Sequence, residues 1–244
     1  MNKSFLILTL SMLVVFVAAP SISAADSKSG KDANFWANEV IKGGYILHFR
    51  HGHRNRYTTS PRTPETDVTA FDAVSLYLGM KGENEDFGIM TCLTEEGKAE
   101  ANLVGRAFDI LNVKIGPVLS SPSCRARQTS YFAFGTEGRI VNSLLHRTSV
   151  MREQHAQFQI DLRNKIFATP IEKGENMILS GHVGTLSYSE EQHLLDVNEV
   201  GNTSDRDDIG FVVLEKTKDD RLIARYMFKH FSSFTREVLR LPLN

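Results

Sequence analysis

Two kinds of apolar segment alternate along the chain. In the first, apolar side chains recur every three or four residues, which predicts amphipathic helices over 35–41, 94–111, 121–132 and 152–167. In the second, apolar residues follow one another and predict buried strands, at 45–49, 117–120, 139–141, 176–180, 211–214 and 222–228. This alternation is typical of a mostly parallel central sheet with helices on both faces. The sequence therefore predicts a three-layer α/β fold.

One segment interrupts the alternation. Residues 53–92 contain a polar loop and one predicted helix around 68–78, and we expect them to form an insertion over one end of the sheet. Elsewhere the sequence has no internal repeat, low-complexity tract or Pro/Gly-rich linker over 26–244. A single domain is therefore expected there.

The first 25 residues have the pattern of a secretory signal peptide. Lys3 precedes an apolar run over 5–19, and small residues follow up to Ala25, where cleavage is expected. The apolar run is shorter than the roughly 20 residues that span a bilayer, although an uncleaved membrane anchor is the alternative. We expect a soluble mature protein, periplasmic or secreted, with no stable membrane insertion after cleavage.

Charge and cysteine content narrow the classes of partner and site. Lys and Arg number 28 against 29 Asp and Glu, so no global positive field attracts nucleic acid or an anionic membrane. The two cysteines, Cys92 and Cys124, are too few for a disulfide framework or a four-thiolate zinc site. In an exported protein they can form one disulfide. Two free, buried cysteines are the alternative.

Histidine and arginine side chains follow three of the predicted strands. Arg50, His51 and Arg54 come after the strand at 45–49. Arg125 comes after the strand at 117–120, and His182 after the strand at 176–180. Because sites in parallel α/β sheets form at the carboxyl ends of the strands, we expect these side chains to converge. Guanidinium groups match phosphate oxygens and stay charged, so this set of residues indicates a phosphate ligand.

Four sequence blocks carry a family resemblance. Leu47-His48-Phe49-Arg50-His51-Gly52 resembles the Arg-His-Gly motif of the histidine phosphatase superfamily, whose fold is phosphoglycerate mutase-like. The later blocks are similar to that superfamily's Leu-Thr-x-x-Gly helix start, its Ser-Ser-Pro-x-x-Arg-x-x-Gln-Thr block and its second-histidine strand; here they are residues 93–97, 120–129 and 179–182. The four blocks occur in the family's order, and the resemblance covers most of 26–244.

The resemblance implies a covalent mechanism without metal or cofactor. His51 is expected to attack phosphorus and form a phosphohistidine, which water then hydrolyses. Arg50, Arg125 and His182 are expected to bind the phosphoryl oxygens and neutralise charge in the transition state. Arg54 fits a fourth phosphate ligand, with a solvated loop arginine as the alternative reading.

The leaving alkoxide needs a proton, and here the sequence departs from one branch of the superfamily. The acid-phosphatase branch has His-Asp at the second histidine, whereas this chain has His182-Val183. In the mutase-like branch a glutamate after the third strand donates the proton, and Glu153 is the best positional match. A solvent-facing acid in a first helical turn is the competing interpretation.

We therefore expect an exported phosphomonoesterase whose substrate is a small-molecule or glycan phosphomonoester, with envelope sugar phosphates as the narrower expectation. Two rival hypotheses stay open. A family member without turnover would only bind a phosphorylated ligand. A metal-dependent hydrolase would use His51 and His53 as ligands, although an arginine beside the first ligand would repel the metal.

Overall fold

The computed structural model describes residues 30–54, 92–146, 155–183, 185–186, 195–196, 200, 203 and 205–239. The predicted signal peptide, nearly all of the predicted insertion and Glu153 lie outside these residues. The described helices are α1 (Ala33–Lys42), α2 (Glu95–Ile110), α3 (Cys124–Phe134), α4 (His155–Ala168) and α5 (Phe231–Val238), with a 3-10 turn at Asn142–Leu144. The strands are β1 (Ile46–Arg50), β2 (Lys114–Ser120), β3 (Arg139–Ile140), β4 (Glu175–Gly181), β5 (Leu195–Asp196), β6 (Phe211–Lys216) and β7 (Leu222–Phe228).

Across the described residues, the strands form one sheet in the order β3-β2-β4-β1-β6-β7-β5. Strands β3, β2, β4 and β1 run parallel to one another, so their carboxyl ends lie at the same edge. Strand β6 is antiparallel to both β1 and β7, and β5 pairs with β7 in parallel. Four of these six pairings are parallel, which confirms the predicted mostly parallel sheet.

Helices pack on both faces of the sheet, as the sequence predicts. On one face, α1, α2 and α5 bury Trp36, Phe108 and Phe234 against Phe49 of β1 and its neighbours. On the other face, α4 buries Leu162 and other side chains against the opposite side of the same strands. Because residues alternate between the two faces of a strand, β1 contributes to both cores. The three-layer α/β fold is confirmed.

The helix boundaries follow from local capping. Thr94 is the N-cap of α2, where its hydroxyl accepts a hydrogen bond from the Gly97 N–H, as the sequence predicts. Helix α3 begins at Cys124, two residues later than the Ser121-Pro122 start that we expected, with Ser123 as its N-cap. Ser121 and Ser123 direct their hydroxyls to His182 instead, so the residues before α3 belong to the site.

Two elements were not predicted. Strand β5 has two residues, too few for a periodic pattern, whereas α5 has apolar residues at 231, 234 and 238, a helical spacing that we did not include among the predicted helices. Both are fixed by tertiary contacts: β5 pairs with β7, and Phe231 and Phe234 of α5 enter the aromatic core. None of the described helices is long and apolar enough to cross a membrane.

Candidate active site

The structure brings together the histidines and arginines that follow β1, β2 and β4. The rings of His51 and His182 lie 5.3 Å apart, centroid to centroid. Arg125 lies in the first turn of α3 and places its Nη2 3.3 Å from His182 Nδ1. His51, Arg125 and His182 are 6%, 1% and 1% exposed, respectively. A buried guanidinium beside two buried imidazoles favours the binding of an anion.

The hydrogen bond of His51 fixes its tautomer. Its Nδ1 lies 2.8 Å from the Gly52 carbonyl oxygen, which can only accept, so Nδ1 carries the proton. In a neutral imidazole the other nitrogen, Nε2, then keeps its lone pair. Nε2 of His51 is therefore the atom able to attack phosphorus.

His182 has the opposite tautomer. The guanidinium of Arg125 can only donate, so His182 Nδ1 accepts and Nε2 carries the proton. This Nε2 lies 3.1 Å from the hydroxyl oxygens of both Ser121 and Ser123. In neutral His182 the Nε2–H therefore donates toward these two serine hydroxyls, whereas Nε2 of neutral His51 keeps a lone pair. A phosphoryl oxygen that took the place of a serine hydroxyl would accept the His182 N–H, and His51 Nε2 would be able to attack its phosphorus.

Burial and positive charge hold both histidines neutral. Burial, followed by the charge of Arg125, lowers the pKa of His51 well below its ordinary value, and Arg50 and Arg54 lower it further. Burial and Arg125 also lower the pKa of His182. An imidazole that stays neutral at pH 7 has its nucleophilic lone pair available.

Helix α3 is tied to the loop that carries His51. The Thr129 hydroxyl accepts a hydrogen bond from the Gly52 N–H at 2.9 Å and donates to the Arg125 carbonyl oxygen at 2.7 Å. Gln128 accepts from the Leu93 N–H at 2.8 Å. The Gln-Thr pair of the 120–129 block therefore ties α3 to Leu93 through Gln128 and to Gly52 through Thr129.

Gly97 allows the second contact between this loop and the helical layer. A Cβ atom at Gly97 would lie 2.2 Å from the His53 carbonyl oxygen, so only glycine lets the backbone after His51 approach α2 so closely. This steric requirement explains the glycine of the Leu-Thr-x-x-Gly block.

Arg50 and Arg54 lie on either side of the nucleophile in the chain. Arg50 ends β1, and its Nη2 forms an ion pair with Asp208 at 3.1 Å. Arg54 forms an antiparallel bridge with Leu93, so the two ends of the predicted insertion meet beside the site. Its charge contributes to the lowered pKa of His51, which places Arg54 within electrostatic reach of the site. That Arg54 contacts phosphate stays a prediction.

Cys92 and Cys124 are joined in a disulfide, the first of the two alternatives that the sequence left open. Cys92 precedes Leu93, and Cys124 directly precedes Arg125. The bridge therefore fastens the end of the predicted insertion to the helix start that carries Arg125.

Replacing both cysteines with serine will lower the free energy of unfolding by about 3 kcal/mol, because the bridge restricts a loop of about 30 residues in the unfolded chain. Urea denaturation of the double variant and wild type measures this difference. A supporting check is intact mass after alkylation of the unreduced protein, which should show no modified thiol. Two alkylated thiols in wild type would contradict the bridge.

Several residues of the site gave no usable sequence signal. His146, which we expected to be a surface or second-layer residue, is half-buried, with its ring centroid 5.8 Å from that of His182. Arg206 and Asp208 lie beside Arg50 but precede an antiparallel strand, where no site was expected. His48, within the first block, is buried below the site, 3.4 Å from an Arg206 nitrogen.

The side chains of His53 and Arg127 contact residues other than His51, Arg125 and His182. His53 Nδ1 lies 2.9 Å from the Thr94 hydroxyl and 3.6 Å from a Glu96 oxygen. Arg127 pairs with Glu137 at 3.3 Å. In the described part of the chain, no three His, Cys, Asp or Glu side chains are grouped so that they could hold a metal ion.

Comparisons with known proteins give likenesses of fold. No protein-family model and no curated protein matches the sequence. Among solved structures, the protein histidine phosphatase SixA in complex with tungstate is 15% identical, with a TM-score of 0.43, over 75% of this chain and 96% of that one.

Two further structures are similar. Mycobacterial glucosyl-3-phosphoglycerate phosphatase is 13% identical, with a TM-score of 0.47, over 76% of this chain and 99% of that one. TTHB049 from Thermus thermophilus is 17% identical, with a TM-score of 0.40, over 75% and 98%. At these identities the likeness concerns the fold, and the chemistry has to be inferred from the residues of the site.

Those residues form a coherent set. The Arg-His-Gly segment ends β1, the Ser-Ser-Pro block leads into α3, and the second histidine follows β4. Their side chains meet at one edge of the sheet, with the tautomers that nucleophile and donor require. The chain thus has four sequence blocks that resemble those of the histidine phosphatase superfamily, on an α/β sheet that brings His51, Arg125 and His182 together.

Proposed function

We propose that the protein is an exported, metal-independent phosphomonoesterase that forms a phosphohistidine on His51. The observation that carries this proposal is the buried pair of neutral histidines with opposite tautomers, with Arg125 beside them. A neutral imidazole nucleophile and a cationic oxyanion clamp are the two requirements of phosphoryl transfer to histidine.

The reaction then proceeds in two displacements. In the first, His51 Nε2 bonds to phosphorus as the ester P–O bond breaks, while Nδ1–H continues to donate to the Gly52 carbonyl oxygen. The leaving oxygen takes a proton from the general acid, for which Glu153 is proposed below. Arg50, Arg125 and His182 bind the phosphoryl oxygens. In the second, water attacks phosphorus and gives a proton back to that carboxylate, the P–N bond breaks, and inorganic phosphate leaves with His51 neutral again.

The proposed substrate class rests on the site residues and on the expected location. Arg50, Arg125 and His182 can supply contacts for a phosphoryl group, which fits a small-molecule or glycan phosphomonoester. An exported enzyme would meet components of the cell envelope, so sugar phosphates of the envelope are the narrower proposal.

Phosphate release from an aryl phosphate in excess EDTA tests the reaction. We expect the mature protein, 26–244, to turn over at the same rate with and without EDTA. Activity lost in EDTA and restored by a divalent metal would favour the rival metal-dependent hydrolase. No release under any condition, together with tight binding of inorganic phosphate, would favour a phospholigand-binding protein.

Location is tested separately. Expression of the full chain with its first 25 residues, followed by fractionation, should give a processed protein outside the cytoplasm whose N-terminal residue is Asp26. An unprocessed, membrane-bound product would support the anchor alternative.

Glu153 is proposed as the proton donor to the leaving group. Replacing Glu153 with glutamine will lower kcat/KM for alkyl phosphates by about 100-fold and for aryl phosphates by less than about threefold, because an aryl oxide leaves without a proton. Steady-state kinetics across esters of graded leaving-group pKa measure the difference.

His146→Asn, beside His182, is the matched comparison for this experiment. Equal slowing of both ester classes by Glu153→Gln would reject Glu153 as the acid. The same leaving-group dependence appearing in His146→Asn instead would move the proton donor to that histidine.

A further inference from the structure

A loop over 205–210, between β5 and β6, wraps the carboxyl end of β1. Its backbone is bonded directly to the two site residues at that end: the Arg50 N–H donates to the Gly210 carbonyl oxygen at 2.9 Å, and the Ile209 N–H donates to the His51 carbonyl oxygen at 3.3 Å. The Asp207 N–H donates to the Lys229 carbonyl oxygen at 2.8 Å, which holds the loop to the end of β7. The loop is therefore part of the frame that holds the nucleophile.

Arg206 fastens this loop to β1 through its side chain. The side chain lies inside the protein, at 3% exposure, and Nη1 donates to the His48 carbonyl oxygen at 2.5 Å. Burial and the nearby charge of Arg50 lower the pKa of Arg206 to about 9. Among the described residues, no carboxylate forms an ion pair with it. Burying a cation against a backbone carbonyl costs free energy. A leucine, or a lysine whose ammonium group reached the surface, would cost less at this position.

The same residue holds Arg50 through its backbone. Arg50 Nη1 donates to the Arg206 carbonyl oxygen at 2.5 Å, and Nη2 of the same guanidinium pairs with Asp208 at 3.1 Å. Two contacts of the Arg50 guanidinium therefore come from Arg206 and Asp208, the neighbours of Asp207 in the chain. A long arginine side chain is thereby restricted to one direction before any ligand binds.

These contacts close a ring. From His48 on β1, the ring passes through the Arg206 side chain to the Arg206 backbone, then to the Arg50 guanidinium, and returns along β1 to His48. Removing the Arg206 side chain opens this ring, because the hydrogen bond to the His48 carbonyl oxygen on β1 is lost. The Arg206 carbonyl oxygen is then held through the backbone bonds of Asp207, Ile209 and Gly210 without this side-chain link, so its position, and that of the Arg50 guanidinium bonded to it, is less restricted.

We infer that Arg206 is a positioning residue that orients Arg50 for the phosphoryl group. It acts through Arg50 and does not itself touch substrate. The inference rests on the proposed phosphatase function, because Arg50 is there a phosphate ligand. Misplacing a binding group by about 1 Å can lower a rate by about 100-fold.

A double-mutant cycle with Arg50 distinguishes positioning from a general contribution to folding. Arg206→Met in the wild-type background should lower kcat/KM for an aryl phosphate by about 10- to 100-fold. In an Arg50→Met background, the same change should cost less than about threefold, because the residue through which it acts is already gone. Equal losses in both backgrounds, or no loss in a folded Arg206→Met protein, would overturn the inference.

Two further variants serve as a rescue and a control for this experiment. Arg206→Lys keeps a charged donor that can reach the His48 carbonyl oxygen, and it should recover part of the loss. Arg225→Met removes a half-exposed arginine that pairs with Glu215 on β6, and kcat/KM should stay within about twofold of wild type. If Arg206→Met does not fold, Arg206→Gln, whose shorter side chain loses the link to the His48 carbonyl oxygen, takes its place in the cycle with the same criteria.

Binding of inorganic phosphate provides a readout that does not need turnover. Calorimetry should show weaker phosphate binding to Arg206→Met than to wild type, and no further weakening when Arg206→Met is added to Arg50→Met. Wild type that binds phosphate without releasing it from esters would refute the proposed function and leave this inference testable. Wild type that turns over while both backgrounds lose activity equally would refute the inference alone.

Discussion

Replacing His51 with alanine will lower kcat/KM for an aryl phosphate by at least about a thousandfold. The reason is that the first bond to phosphorus is formed by His51 Nε2, which the hydrogen bond from Nδ1 to the Gly52 carbonyl oxygen leaves unprotonated. An aryl oxide needs no proton donor, so the loss reports on the nucleophile and not on the general acid. Steady-state kinetics with the mature protein measure it.

The phosphoenzyme gives a second measurement of the same prediction. Wild type quenched in alkali during turnover should contain a phosphorylated peptide that includes His51, because a phosphorus–nitrogen bond survives alkali and is lost in acid. His51→Ala should contain no phosphopeptide. A phosphopeptide that contains His182 would instead assign the nucleophile to the second histidine and contradict the tautomers derived above.

His53→Ala is the matched control. It removes an imidazole two residues away whose Nδ1 lies by the Thr94 hydroxyl, and we expect kcat/KM within about threefold of wild type. Comparable losses in His51→Ala and His53→Ala would favour the rival hypothesis in which both histidines bind a metal. A His51→Ala protein that keeps more than a tenth of the wild-type rate would reject covalent catalysis by this residue.

The sequence was sufficient to predict the convergence of His51, Arg125 and His182. Each follows an apolar segment short enough to be a buried strand, and carboxyl ends of parallel strands share one edge. Local pattern and strand direction were enough to place these three residues together. The roles of Gln128 and Thr129 are visible only in the structure, where Gln128 accepts from the Leu93 N–H and Thr129 accepts from the Gly52 N–H.

Arg206 and Asp208 could not be found in this way. They precede β6, whose antiparallel pairing with β1 brings the start of one strand to the end of the other. The apolar pattern of 211–214 predicts a strand but not its direction, so residues before it carried no expectation of reaching the site. Their role depends on a pairing between residues about 150 positions apart in the chain.

The buried, neutral histidines make the free energy of unfolding of the whole protein depend on pH. His48, His51 and His182 are all buried, and burial is the largest cause that lowers the pKa of each. For His48 the further cause is the charge of Arg206, and for the other two it is the charge of Arg125. The site therefore disfavours protonation before any anion binds.

The free energy of unfolding will therefore fall steeply as the pH is lowered below about 6.5, the ordinary pKa of histidine. Above that pH, neither state protonates these histidines, and their contribution is fully retained. Below it, the unfolded chain binds protons that the folded protein does not, so stability is lost until the pH reaches the lowered folded-state values. The slope approaches about 1.4 kcal/mol per pH unit for each histidine, or about 4 kcal/mol for three.

Urea denaturation between pH 7.5 and 5.5 (roughly one unit either side of the histidine pKa), in buffers without phosphate or sulfate, measures this slope. Carboxylates contribute little there, because Glu39 and Asp219 have pKa values lowered from ordinary values that already lie below this range. His48→Gln should reduce the slope by about a third. Added phosphate should flatten it, because a bound dianion favours protonated imidazole. A free energy of unfolding that is constant from pH 6.5 to 5.5 would show that these histidines accept protons in the folded protein, and it would remove the neutral nucleophile on which the mechanism depends.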